Sequence, residues 1–181
     1  MKENRKGDIF MSLVNTPSGN RLHIGIFGKR NSGKSSLLNA ITGQEIALVS
    51  EVKGTTTDPV SKAMEIHPIG PCLLIDTAGF DDTGDLGNMR IEKTKAVLDK
   101  TDVAVVVFSD MQMELETQWI AMLRQRKIPI LAVVNQVDRI EQVQEIKRQI
   151  EQRFSLTPLL VSAKEKTGIS QMKHEILRLM P

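Results

Sequence analysis

Residues 28 to 35 read Gly28-Lys29-Arg30-Asn31-Ser32-Gly33-Lys34-Ser35, a Gly-x-x-x-x-Gly-Lys-Ser pattern set between an apolar run and a stretch with helical leucine spacing. A strand that passes straight into a helix through a glycine-rich loop leaves few architectures open, because helices must then cover a sheet whose strands end at that loop. Leu22–Phe27 is the candidate strand and Ser35–Ile41 opens the candidate helix. Gly28 and Gly33 lack a Cβ, so the main chain between them can wrap with its N–H groups aimed inward at an anion. Lys34 can reach the outer phosphates of a nucleotide and the Ser35 hydroxyl can hold Mg²⁺, while the helix N-terminus beneath Ser35 and Ser36 adds partial positive charge. Gly28 through Ser36 is therefore the candidate phosphate-binding set.

The rest of the chain repeats the strand-then-helix alternation that a parallel sheet with helices on both faces requires. Candidate strands are Leu22–Phe27, Ser61–Ile66, Leu73–Asp76, Val103–Ser109, Ile128–Asn135 and Leu159–Ser162. Candidate helices are Lys34–Thr42, Asn88–Leu98, Glu114–Gln125, Ile140–Arg153 and Ile169–Leu179, each with apolar residues three and four apart, as at Val143, Ile146 and Ile150. The second and third strands are separated only by His67-Pro68-Ile69-Gly70-Pro71, too short for a crossover helix, so that pair is expected to be an antiparallel hairpin. The expected fold is thus α/β, a mostly parallel six-stranded sheet with one antiparallel edge strand. Gly43–Pro59 and Gly79–Gly87 show no periodic pattern, and both follow elements that would end near the phosphate loop.

Three short motifs follow in order, each after an apolar strand. In Asp76-Thr77-Ala78-Gly79 the carboxylate can bind Mg²⁺ through its water shell and the glycine N–H can meet a terminal phosphate. In Asn135-Gln136-Val137-Asp138 the final carboxylate can accept both the N1–H and the N2–H₂ of guanine, an edge adenine does not present. In Ser162-Ala163-Lys164 a main-chain N–H can meet the guanine oxygen. Any one of these is a common turn; the ordered set points to a guanine nucleotide.

The same set resembles the translation-factor-related GTPases over about residues 21 to 181, which implies a Ras-like P-loop fold and hydrolysis of GTP to GDP and phosphate. Gly54-Thr55-Thr56-Thr57-Asp58-Pro59 resembles the switch segment of the tRNA-modification, Era, Der and septin-like branch, with Thr57 where that branch usually has Arg. Read on through Val60, the Lys62–Ile66 strand and Pro68-Ile69-Gly70-Pro71, it is most similar to the hydrogenase-maturation family HydF. By that resemblance Thr56 ligates Mg²⁺ beside Ser35 and takes part in catalysis with Lys34, and Asn31 holds an activating K⁺. The implied partners are GTP and GDP, other domains of a parent protein, a second copy of this domain, and a hydrogenase with its maturases. The alternative is the G domain of a tRNA-modification or ribosome-assembly GTPase.

Two positions depart from the pattern. Phe80 stands where related enzymes place a water-orienting glutamine, and a ring cannot orient water, so slow basal hydrolysis is expected, aided by a cation, by Asp81 or Asp82, or by a partner. Gln136 stands where the family usually has Lys; it is shorter and uncharged, which lowers expected affinity while leaving guanine preference with Asp138.

Composition sets the remaining bounds. The 24 basic and 22 acidic side chains nearly cancel, so nothing calls for a nucleic acid partner. Cys72 is the single cysteine and His23, His67 and His174 are scattered, so an iron–sulfur cluster of the kind the resembled family carries elsewhere is not expected in this chain. No run approaches the roughly 20 apolar residues of a membrane span, residues 1 to 20 lack a signal-peptide core and are expected to be a flexible segment, and a cytoplasmic location is expected. Residues 21 to 181 are expected to form one domain, the G domain of a longer protein, with dimerisation and iron–sulfur domains falling outside it. Trp119, Met111, Met113 and Met122 are expected to lie on one helix and pack in the core.

Overall fold

The computed structural model describes residues 18–43, 50–52, 61–77 and 87–181. Thr56, Gly79, Phe80, Asp81 and Asp82 lie outside the described residues. The described residues form seven strands and five α-helices, in the order β1 (Leu22–Gly28), α1 (Lys34–Thr42), β2 (Ser50–Val52), β3 (Ser61–Ile66), β4 (Gly70–Asp76), α2 (Gly87–Lys100), β5 (Val103–Phe108), α3 (Glu114–Gln125), β6 (Ile130–Val134), α4 (Val143–Phe154), β7 (Leu159–Leu160) and α5 (Ile169–Leu179). The sheet order is β2-β3-β4-β1-β5-β6-β7, with β4, β1, β5, β6 and β7 mutually parallel.

All six expected strands are present, and β3 and β4 pair antiparallel from Ser61↔Ile75 to Ile66↔Gly70. A short seventh strand, β2, adds to the outside of β3, so β3 is not the edge. Three residues are too few to show a period-two pattern, which is why β2 leaves no trace in the sequence. β4 begins at Gly70 rather than Leu73, with Pro71 inside it. That proline is tolerated because the β1 neighbour starts only at Cys72, opposite Leu22, so its missing N–H faces no second strand.

The alternation of side chains along the strands builds two cores. Val103, Val105 and Val107 of β5 face one side, joining Ile24 and Ile26 of β1 to Leu37 and Ile41 of α1 and to Met172 and Ile176 of α5. Ala104, Val106 and Phe108 face the other, joining Phe27 to Leu98 of α2, to Trp119, Ile120 and Leu123 of α3 and to Ile146, Ile150 and Phe154 of α4. Burial on both faces explains why β5 reads as an unbroken apolar run. Phe27 and Trp119 meet across the second core with ring centroids 6.1 Å apart. Met111 and Met113 precede α3 rather than lie on it; Met113 is buried and Met111 and Met122 pack at the margin of the same core. Cys72 is fully buried, and burial pushes its thiol up to about 12, which leaves it unreactive at neutral pH. No helix among the described residues is long and apolar enough to cross a membrane.

Candidate functional site

The parallel strands deliver their C-terminal ends to one edge, and the described parts of four motifs emerge there: the phosphate loop after β1, Asp76 at the end of β4, Asn135 after β6 and Ser162 just beyond β7. Clefts in open α/β sheets form at this edge because the strands end there while the helices turn back. β1 is central, between β4 and β5, so the phosphate loop sits in the middle of the edge.

The loop has the shape its residues dictate. Gly33, the residue before α1, has φ +80°, and a Cβ there would stand 2.6 Å from Asn135 Nδ2. A Cβ on Gly28 would stand 2.7 Å from Ser32 Oγ. Gly33 is therefore required by contact and by conformation, and Gly28 by contact. Ser32 is fully buried and its hydroxyl donates to the Lys29 carbonyl at 2.7 Å, so its side chain braces the loop from within. The Lys34 side chain is 5% exposed, with Nζ donating to the Gly28 carbonyl and lying 3.5 Å from that of Lys29. Ser35 and Ser36 are exposed in the first turn of α1, which carries no acidic side chain. Arg30, Asn31, Gly33 to Ser36 and Gln136 border one cavity of about 490 Å³.

Asn135 joins the two halves of the cleft. Its Nδ2 donates to the carbonyls of Ser32 (2.9 Å) and Gly33 (3.3 Å), and its Oδ1 accepts from the Ala163 N–H at 3.3 Å. The side chain is 1% exposed and satisfied at both ends, so the phosphate loop and the loop after β7 are held at a fixed separation. Gln136, with φ +63°, donates from Nε2 to the Asn31 carbonyl at 3.3 Å, and its own carbonyl accepts from the N–H groups of Arg139 and Ile140. This turn occupies the residues expected to begin the fourth helix, so α4 starts at Val143 rather than Ile140.

Asp138 is exposed at the cleft, and its Oδ1 accepts from the Ser162 hydroxyl at 2.7 Å. That hydrogen bond, more than the nearby Lys164 and Arg139 charges, holds its carboxyl below the usual range. Ser162 Oγ accepts in turn from the Glu165 N–H at 3.0 Å, and mutual Ser162–Thr167 main-chain bonds of 3.1 Å close the loop that presents Ala163 and Lys164. Asp76 is half-buried at the end of β4, opposite Ile26 in register, and the neighbouring Thr77 hydroxyl donates to the Ile26 carbonyl at 2.7 Å. The structure thus brings Gly28 to Ser36, Asp76, Asn135, Asp138 and Ser162 to Lys164 to one edge.

One group went unforeseen. The Lys29 ammonium is taken up by Asp110 Oδ1 and the Gln112 carbonyl, each at 2.5 Å, with Glu116 Oε1 at 3.6 Å. Lys29 therefore contributes its main chain to the loop while its side chain anchors the loop to α3. Glu116 is 1% exposed and its Oε2 has no hydrogen-bond partner, so burial, opposed in part by Lys29, pushes its carboxyl above the usual range. A carboxyl raised on folding contributes stability below the pH where the unfolded chain titrates, about 4, and loses it as pH rises through the native value. Glu116→Gln cannot ionise, so its melting temperature should gain on the wild type by roughly 3 °C as pH rises from about 4 to 8. Parallel melting curves across that range would exclude a raised Glu116 carboxyl.

A phosphate loop at the centre of such a sheet, tied through Asn135 to an exposed carboxylate beside a closed Ser-Ala-Lys loop, defines a P-loop GTPase domain that binds guanine nucleotide. Residues 23–136 match the family described as "50S ribosome-binding GTPase", and the chain belongs to that family. It is 33% identical over 172 residues to GTPase Der of Wolinella succinogenes, covering 87% of this chain and 36% of that protein. It is 38% identical over 162 residues to the tRNA modification GTPase MnmE of Bordetella petrii, covering 87% of this chain and 33% of that one. The chain spans about a third of the length of these curated relatives. Among solved structures, an Era variant of Aquifex aeolicus bound to GDP.AlF4- superposes with a TM-score of 0.68 at 24% identity, over 88% of this chain and 56% of that one, which shows the shared fold. Era in complex with MgGDPNP and a 16S ribosomal RNA fragment gives 0.68 at 25% identity, with the same coverage.

Proposed function

We propose that this domain hydrolyses GTP to GDP and phosphate and works as a nucleotide-dependent switch. The observation that carries the reading is the Asn135 bridge: one buried side chain fixes the phosphate loop against the loop beside Asp138, so a ligand must present phosphates and a guanine edge at one set separation. Water attacks the γ-phosphorus, a new P–O bond forms, and the bond to the β–γ bridging oxygen breaks, leaving the electron pair on GDP. Lys34 and the N–H groups of the loop and of the first turn of α1 stabilise the charge on the phosphate oxygens. Asp138 orients the base.

The donors present fit Mg²⁺. The Ser35 hydroxyl and the Asp76 carboxylate are hard oxygens, and no cluster of three or more acidic, His or Cys ligands occurs among the described residues, so the ion's coordination would be completed by phosphate and water. Bound there, Mg²⁺ neutralises charge on the β- and γ-phosphates. Thr56 is the proposed second hydroxyl ligand. The exposed Asn31 side chain borders the same cavity and supplies a hard carbonyl oxygen suited to K⁺.

Turnover in potassium against sodium tests this. Wild-type chain should release phosphate from GTP, not ATP, and faster in potassium by about tenfold or more; Asn31→Ala should bring that ratio close to one. No phosphate release above buffer sinks the enzyme reading, and an unchanged ratio in Asn31→Ala sinks the cation assignment.

A role in tRNA modification or ribosome assembly is supported by MnmE, named a tRNA modification GTPase, and by the family description. The hydrogenase-maturation reading rests on the Gly54–Pro71 pattern. A deletion strain of the source organism, assayed for modified tRNA, ribosome profile and hydrogenase activity, separates the two.

A further inference from the structure

We infer that Arg139 is a nucleotide-binding residue that covers the guanine beside Asp138 and supplies the positive charge Gln136 lacks; the inference rests on the guanine reading of Asp138. The Arg139 and Ile140 N–H bonds to the Gln136 main-chain carbonyl close a turn that holds Arg139 beside the phosphate loop. Arg139 thereby borders the same 490 Å³ cavity as Lys34, Ser35 and Ser36 of the phosphate-binding set. Gln136 borders it too, but its amide is neutral and its Nε2 is engaged on the Asn31 carbonyl. The described lining is cationic through Arg30, Lys34 and Arg139 and includes no carboxylate.

A second cavity, of about 430 Å³, shares Ser36 with the first and is bordered by Ala163 and Lys164. Arg139 and Lys164 each favour the ionised form of Asp138, so a cation from each of two loops lies near the carboxylate that receives the base. A planar ring held at Asp138 meets the Lys164 stem from one loop and the Arg139 guanidinium from the other. Guanidinium groups stack on π faces and carry a charge that cannot be lost at working pH. Arg139 is exposed, so replacing it leaves the core untouched.

The test is titration of the chain with a fluorescent GDP analogue, with GTP turnover alongside. Arg139→Ala should weaken GDP binding about tenfold, with the loss appearing in KM rather than in kcat; Arg139→Lys should lose less, because charge survives without the planar fork. Gln136→Lys placed in the Arg139→Ala chain should recover most of the loss, since it returns a cation to the same cavity. Wild-type affinity in Arg139→Ala overturns the inference, as does failure of Gln136→Lys to recover binding. The two readings fail differently: if Asp138→Asn leaves guanine preference intact, the base assignment falls and Arg139 with it, whereas loss of preference in Asp138→Asn alongside unaltered Arg139→Ala removes Arg139 alone.

Discussion

Lys34→Met is expected to lower affinity for GDP and GTP by about 100-fold or more, with little change in melting temperature. The two effects separate because of where the side chain sits. Its stem is buried against the loop and its ammonium lodges on the Gly28 carbonyl, so methionine keeps the volume and loses only the charge and the donors. Those donors form charge-assisted hydrogen bonds to phosphate, each contributing about 1.5–3 kcal/mol in a site shielded from water. Two such bonds account for a loss of the stated size. The Asn135 bridge and the Ser32 brace keep the loop closed without Lys34, so the fold has no reason to respond. Calorimetric titration with GDP, beside a thermal melt, checks both halves. Near-normal GDP binding would show that the phosphates lie elsewhere.

Much of this geometry was legible because the chemistry is local. The phosphate loop is a run of nine consecutive residues in which two glycines and a Lys-Ser pair stand at fixed spacing, so its shape is written where it occurs. The strands were legible where both faces are covered, as in β5, because a continuous apolar run needs no partner to be recognised. What could not be read were links between segments far apart in the chain. Asn135 reaches Ser32 across 103 residues and Lys29 reaches Gln112 across 83, and no spacing rule connects such positions. The Glu116 carboxylate in an apolar helix face was a local signal, since a lone charge on a core-facing position needs a partner, but the identity of that partner was not. The start of α4 was misplaced for a related reason. Ile140 continues the apolar period, yet Arg139 and Ile140 spend their N–H groups on the Gln136 carbonyl to shape the base motif. Function overrode periodicity at this turn.

That base motif carries the second large expected effect, an exchange of base preference in Asp138→Asn. Guanine offers two donors, N1–H and N2–H₂, to a carboxylate with two acceptor oxygens. Asn replaces one acceptor by an NH₂ donor, so a donor faces a donor and one pairing is lost on each side, a mismatch that sites of this kind reject by about 100-fold or more. Xanthine carries an oxygen where guanine carries N2–H₂, and an amide with one acceptor and one donor fits it. The variant should therefore lose GTP by that factor while binding xanthosine triphosphate about as well as the wild type binds GTP. The Ser162 hydroxyl sharpens the outcome. It donates to Asp138 Oδ1 and holds the carboxyl ionised below the usual range, so the wild-type site keeps both acceptors throughout neutral and mildly acidic pH. In Asp138→Asn the Ser162 donor can still meet the amide oxygen, which leaves the NH₂ group facing the base and sets the orientation xanthine needs. Competition of GTP and xanthosine triphosphate against a fluorescent nucleotide measures the ratio directly. A variant that keeps its guanine preference would move base recognition away from Asp138, to the main chain of Ala163 and Lys164.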